Sequence, residues 1–261
     1  MAIEKKNAWE KYPQGPEREK LFAFAEDYRR FISGCKTERE CVTSFVEKAE
    51  KAGFVNLEKV IAEHTALKAG DRVYANNMGK GMALFVIGKE SMEKGMNILG
   101  AHIDSPRLDL KQDPLYEDTD FAMLDTHYYG GIKKYQWVTI PLALHGVVVK
   151  KDGTTIELNI GENEDDPVFF ISDLLIHLAQ EQLEKKAAKV IEGEALDIII
   201  GNRPLTFKKD EKKEEGAGKD AVKKGILSIL KDTYDMDEED FISAELEVVP
   251  AGKAREAGFD R

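Results

Sequence analysis

No part of this sequence is apolar for long. The longest such runs are short, as in "MALFVI" at 82–87, far below the ~20 residues of a membrane-spanning helix. No membrane partner is therefore expected. Cysteine is nearly absent: the chain holds 2, Cys35 and Cys41, and no C-x-x-C. That excludes a disulfide framework and a cysteine-based zinc knuckle, and leaves two free thiols as the expectation. An excess of positive charge is missing too. Lys and Arg number 38 against 49 Asp and Glu, a net charge of −11. This is the wrong sign for a surface that grips phosphates, so no nucleic-acid partner is expected. The opening stretch "MAIEKKNAWEKYPQGPERE" has no apolar segment of the signal-peptide kind, and a cytoplasmic location is expected. The patterns G-x-S-x-G, G-x-G-x-x-G, H-E-x-x-H and the P-loop do not occur.

What is present is a globular composition: 261 residues, 42% hydrophobic and 33% charged. That length allows one large domain or two. Two amphipathic helices open the chain. Over 17–33, Leu21, Phe24, Tyr28, Phe31 and Ile32 share one face, and Gly34 can end the helix. Thr37 and Glu40 then form a capping-box pattern ahead of Val42, Phe45, Val46 and Ala49, with Gly53 at the C-cap position. From residue 72 the period becomes that of strands. "RVYAN" and "GMALFVIGK" flank a hairpin turn at "NMGK", and "MNILGAHID" reads as a strand buried on both faces. Residues 112–136 look irregular. "VTIPLALHGVVVKKDGTTIELNIG" reads as strand, Asp-Gly turn, strand. Residues 171–186 have helical spacing at Leu174, Leu175, Leu178 and Leu183. "LDIIIG" is a strand, the charge run at 208–224 a solvated loop leading into a helix, and "ISAELEVVPAG" a last strand. The composition shifts near residue 111, from helices plus a sheet to a β-rich unit.

The residues able to carry chemistry are few. His102 and Asp104 stand at the end of an apolar run, just before Ser105-Pro106. Residues two apart on a strand point to the same side, so imidazole and carboxylate can lie close together. A metal-binding histidine needs its second ring nitrogen held in this way, and open α/β sheets bind ligands at the C-terminal ends of their strands. The competing reading is an ordinary hydrogen-bonded histidine, with Asp104 starting an Asx turn. His64 reads as a surface residue and His145 as the solvent face of its strand. His127 precedes "YYGG", where Gly130 and Gly131 permit close backbone approach. His177, set among leucines, reads first as a packed core residue.

"GAHIDSPRLDLK" resembles the A-H-T-D-S-P motif of the aspartyl aminopeptidase family, which are dinuclear zinc metalloaminopeptidases. "GDRVYANNMGKGMALFVIG" is similar to the strand–turn–strand before that motif, "YYGGIKKYQW" to its Y-G-G segment, "LALHGVVV" to the strand that follows, and "ISDLLIHLAQ" to its L-A-I-H-L pattern. The resemblance implies an α/β fold: part of a zinc-peptidase domain, helices plus mixed sheet, with an inserted β-rich dimerisation domain. Residues 1–110 would be the N-terminal part of the peptidase domain and 111–250 the insert. Residues 251–261 would begin the return to the peptidase domain, where the chain looks truncated.

The resemblance also implies His102 as a zinc ligand, Asp104 as the catalytic residue orienting it, and His177 as a catalytic histidine presented to a neighbouring subunit. Its cofactor would be zinc, two ions in the complete site, with other divalent metals able to substitute. Its partners would be peptides with a free N-terminus and further copies of the chain, joined through the insert. In the family the remaining ligands and the glutamate base come later in the sequence, so this chain alone is expected to be inactive. A non-catalytic assembly module derived from such a peptidase is the alternative, and an unrelated α/β small-molecule binder a third.

Overall fold

The computed structural model describes residues 7–205 and 219–260. The chain divides into two compact units, one running through Lys94 and resuming at Lys253, the other spanning Gly95–Gly252.

The first unit opens with α1 (Pro16–Gly34) and α2 (Glu38–Lys51). Gly34 ends α1 as its spacing predicts. At α2 the Thr37 hydroxyl accepts from the Glu40 amide at 3.3 Å, and the Glu40 carboxylate accepts from the Thr37 amide at 3.1 Å. These reciprocal bonds satisfy donors that no helical carbonyl can reach. Gly53, at φ +82°, lets the Phe54 amide fold back onto the Ala49 carbonyl and close the helix. A short strand β1 (Val55–Asn56), helix α3 (Leu57–Ala62) and the hairpin β2 (Arg72–Asn77) and β3 (Gly81–Val86) complete the unit. The sheet is mixed: β1 runs parallel to β2 and β3 antiparallel to it. Met78 and Gly79 both take positive φ in the "NMGK" turn, the twist that a two-residue hairpin favours.

The second unit is a six-stranded antiparallel sheet. Its strands are β4 (Arg107–Asp118), β5 (Phe121–Tyr129), β6 (Leu142–Val149), β7 (Thr155–Ile160), β8 (Ile198–Gly201) and β9 (Ala244–Pro250), in the order β7-β6-β9-β4-β5-β8. Its helices are α4 (Gln180–Leu183) and α5 (Ala221–Tyr234). The last strand threads between β4 and β6, so the unit's end closes the centre of its own sheet. One face is apolar, with Leu108, Val248, Leu144 and Ile160 in one row across four strands. The row beside it, on the other face, is polar: Asp109, Glu247, His145 and Asn159. Gly201 lets α5 approach β8, since a Cβ there would stand 2.9 Å from Ile226.

The α/β reading holds, with helices and a mixed sheet in one unit and a β-rich second unit. Four local expectations fail. The expected strand over 96–104 does not form. No described strand pairs with it, and Ile98 and Leu99 are 82% and 101% exposed. An apolar run becomes a buried strand only when neighbours bond both its edges. Residues 112–136, expected to be irregular, hold the end of β4 and all of β5. Pro114 sits where the β4–β5 register shifts between Leu110 and Leu115, a place that tolerates proline. The helix expected over 171–186 shrinks to α4, and Leu174, Leu175 and Leu178 are exposed. His145, expected at the solvent face, is 2% exposed and lies 3.1 Å from Glu162 through Nε2. The charged stretch 208–218 lies outside the described residues.

Candidate metal centre

His102 and Asp104 lie on the extended segment that leads into β4. Their proximity does not depend on a strand: Nδ1 of His102 lies 3.0 Å from the Asp104 main-chain oxygen and 3.3 Å from Oδ1 of its carboxylate. A carbonyl oxygen only accepts, so Nδ1 carries the proton in this arrangement and the lone pair belongs to Nε2. The imidazole side chain is 84% exposed. It has no second hydrogen-bond partner among the described residues.

Asp104 is held from its far side. The Tyr129 hydroxyl donates to Oδ2 at 2.9 Å. That bond keeps the Asp104 carboxyl below its ordinary pKa range, and the nearby His102 ring acts in the same direction. Tyr129 stands directly opposite Arg107 across the β4–β5 ladder. The Arg107 guanidinium lies over the Tyr129 ring, 4.1 Å from its centroid. It is itself fixed by Asp109 at 2.7 Å and Glu247 at 3.3 Å. From the exposed imidazole a chain of contacts thus runs through Asp104, Tyr129 and Arg107 into the polar face of the sheet.

His177 stands apart from this chain. It lies in an exposed turn, flanked by Leu175, Ile176 and Leu178, and no hydrogen bond or ion pair links it to His102 or Asp104. Its core-packed reading is thereby overturned. Tyr129, which joins this chain of contacts, carries no role that the sequence predicts. Its signal was the aromatic pair before Gly130-Gly131, but its partner is set by a register that local sequence does not display.

Zinc takes nitrogen, sulfur or carboxylate ligands, usually three or four from the protein. Nε2 of His102 fits as one of them, since Nδ1 is held by the Asp104 main-chain oxygen, and a backbone carbonyl is among the partners that orient ligating histidines. Among the described residues, no group of three or more His, Cys, Asp or Glu could hold a metal ion. The arrangement is thus one exposed imidazole, hydrogen-bonded through Nδ1 to the Asp104 main chain and lying beside its carboxylate, on an α/β scaffold. Residues 31–261 match the aminopeptidase I zinc metalloprotease (M18) family, and the chain belongs to that family. It is 61% identical over 258 residues to a probable M18 family aminopeptidase 1 of Clostridium acetobutylicum, covering 99% of this chain and 54% of that protein. The crystal structure of an M18 aminopeptidase from Thermotoga maritima superposes with a TM-score of 0.87 at 44% identity, over 99% of this chain and 53% of that one. The Saccharomyces cerevisiae mApe1 dodecamer shares the fold, with a TM-score of 0.64 at 20% identity, over 92% of this chain and 51% of that one. The chain spans about half the length of the curated relatives it matches. No described helix is long and apolar enough to cross a membrane.

Proposed function

We propose that these residues serve a zinc-dependent aminopeptidase, in which His102 binds one of two metal ions through Nε2 and Asp104 orients its ring. The observation that carries this reading is the Nδ1 contact to Asp104, which leaves the metal-binding nitrogen on an exposed edge. Bound zinc supplies Lewis acidity, polarising the scissile carbonyl and lowering the pKa of its water. This chain's own part is to present one ligand in one tautomer and to hold it still. The other ligands and the glutamate base are proposed to come from residues outside these 261. The substrates are peptides with a free N-terminus, and the location is cytoplasmic.

Residues 1–110 are proposed as the N-terminal part of the peptidase domain, 111–250 as an inserted dimerisation domain and 251–261 as the return to the peptidase domain. Two exposed apolar stretches support this division. Ile98 and Leu99 have the character of a central strand whose neighbours lie elsewhere. Leu174, Leu175, Ile176 and Leu178 surround His177 on a surface suited to a second copy of the chain. On that reading His177 reaches a neighbouring subunit's active site. A second reading, a non-catalytic assembly module, is favoured by one observation: the described residues group no three metal ligands. Metal analysis beside an aminopeptidase assay on a panel of N-terminal residues separates the two. Bound zinc with hydrolysis supports the peptidase; a folded, self-associating protein with neither supports the module.

A further inference from the structure

The Asp104 carboxylate has two oxygens, and the described contacts assign them different partners. Oδ1 faces Nδ1 of His102 at 3.3 Å, beside the 3.0 Å hydrogen bond that Nδ1 makes to the Asp104 main-chain oxygen, and Oδ2 accepts from Tyr129 at 2.9 Å. The terminal torsion of an aspartate is broad, so an unrestrained carboxylate on an exposed segment would turn freely. The Tyr129 bond removes that freedom, because pinning one oxygen fixes the plane of both. The phenol is in turn aimed by its ring, which rests under Arg107 at 4.1 Å. Arg107 cannot drift: its side chain is 7% exposed and is shared by Asp109 and Glu247. Exposure is high at the imidazole, about equal at Asp104 and Tyr129, and low at the guanidinium in the sheet.

We propose that Tyr129 is a positioning residue for the His102–Asp104 pair, and that Arg107 acts through it. The proposal rests on the reading of His102 as a metal ligand. It gives the polar face of the β-rich unit a task beyond packing: anchoring the orientation of an imidazole that its own segment leaves exposed. A purely structural role, stapling the segment before β4 to the end of β5, would use the same bond but leave metal affinity unchanged.

The test uses the protein as the cell makes it, stripped of metal and titrated with zinc against a chromophoric chelator. The variants are Tyr129→Phe, His102→Ala and the double variant. Tyr129→Phe keeps the ring under Arg107 and removes only the hydroxyl. It is expected to weaken zinc binding about 10-fold to 100-fold, the range for partners that orient a ligating histidine. It should also shift the visible bands of the cobalt-substituted protein, and it should add nothing in the His102→Ala background. Zinc affinity within twofold of the parent for Tyr129→Phe, with affinity lost in His102→Ala, overturns the positioning role and leaves the ligand reading standing. Unchanged affinity in His102→Ala overturns both. Should Tyr129→Phe fail to fold, Arg107→Lys replaces it: the charge between Asp109 and Glu247 stays, and the planar group leaves the ring. Weaker zinc binding is then the expected result, and unchanged binding the overturning one.

Discussion

The two compact units treat their apolar residues differently. In Gly95–Gly252, Leu108, Leu142, Val148, Leu196, Ile198 and Val248 are all fully buried in one cluster. In the other unit the buried apolar set is small: Cys41, Val42, Ala49, Val60, Val73 and Tyr74. There α1 buries no residue at all, and Leu84, Phe85 and Val86 of β3 stay exposed. Phe31 of α1 does stack on Phe45 of α2, 5.2 Å between centroids, but Phe24 and Tyr28 on the same helix remain in the open. The contrast shows that a periodic pattern states which face seeks burial and not what will cover it.

Substitutions can break or sharpen that contrast. The largest effect is expected for Leu108→Ala, at the centre of the closed core. The loss should be about 2–5 kcal/mol, since the removed methyls leave a cavity that the sheet fills only partly. Denaturant unfolding of the 261-residue chain measures it. Thr37→Ala comes next, at about 1 kcal/mol, because one helix-end amide loses its acceptor. Faster hydrogen exchange at the Glu40 amide would report it. Leu99→Ser should change the chain's stability by no more than about 0.5 kcal/mol, although a buried strand leucine would cost several times that. A loss as large as that of Leu108→Ala would mean that the segment is packed after all.

The neighbouring Cys41 thiol holds the Cys35 thiol below the ordinary thiol range, at about 7. Alkylation by iodoacetamide should therefore rise through about pH 7, since the thiolate is the reacting form. In Cys41→Ala the rise should move toward the ordinary thiol range. Identical profiles in the two proteins would remove Cys41 as the cause of the shift.

Much of this fold is legible in the sequence where short-range rules act. The Thr37–Glu40 cap, the Gly53 stop, the "NMGK" and Asp-Gly hairpins, and α5 all follow from neighbours within a few residues. The β4–β5 hairpin was hidden because Pro114 interrupts one strand and its turn uses Thr119 and Asp120, both at positive φ, instead of the more usual Asn-Gly. The solvent-face expectation for His145 fails because alternation marks a polar face without saying that the face is covered. At the site, His102 and Asp104 do lie close, but not through the strand alternation that the H-x-D spacing predicts: Nδ1 bonds the Asp104 main-chain oxygen on a segment that forms no strand. Tyr129 could not be found that way, because Arg107 and Tyr129 meet only through a strand register spanning the missed hairpin.

The most direct measurement of the central claim is X-ray absorption at the zinc edge, on the zinc-loaded native protein and its His102→Ala variant. The account predicts that the imidazole scattering at one zinc position is reduced in the variant and that its affinity falls more than 100-fold, beyond the range for orienting partners. An unchanged spectrum with full zinc occupancy would contradict it.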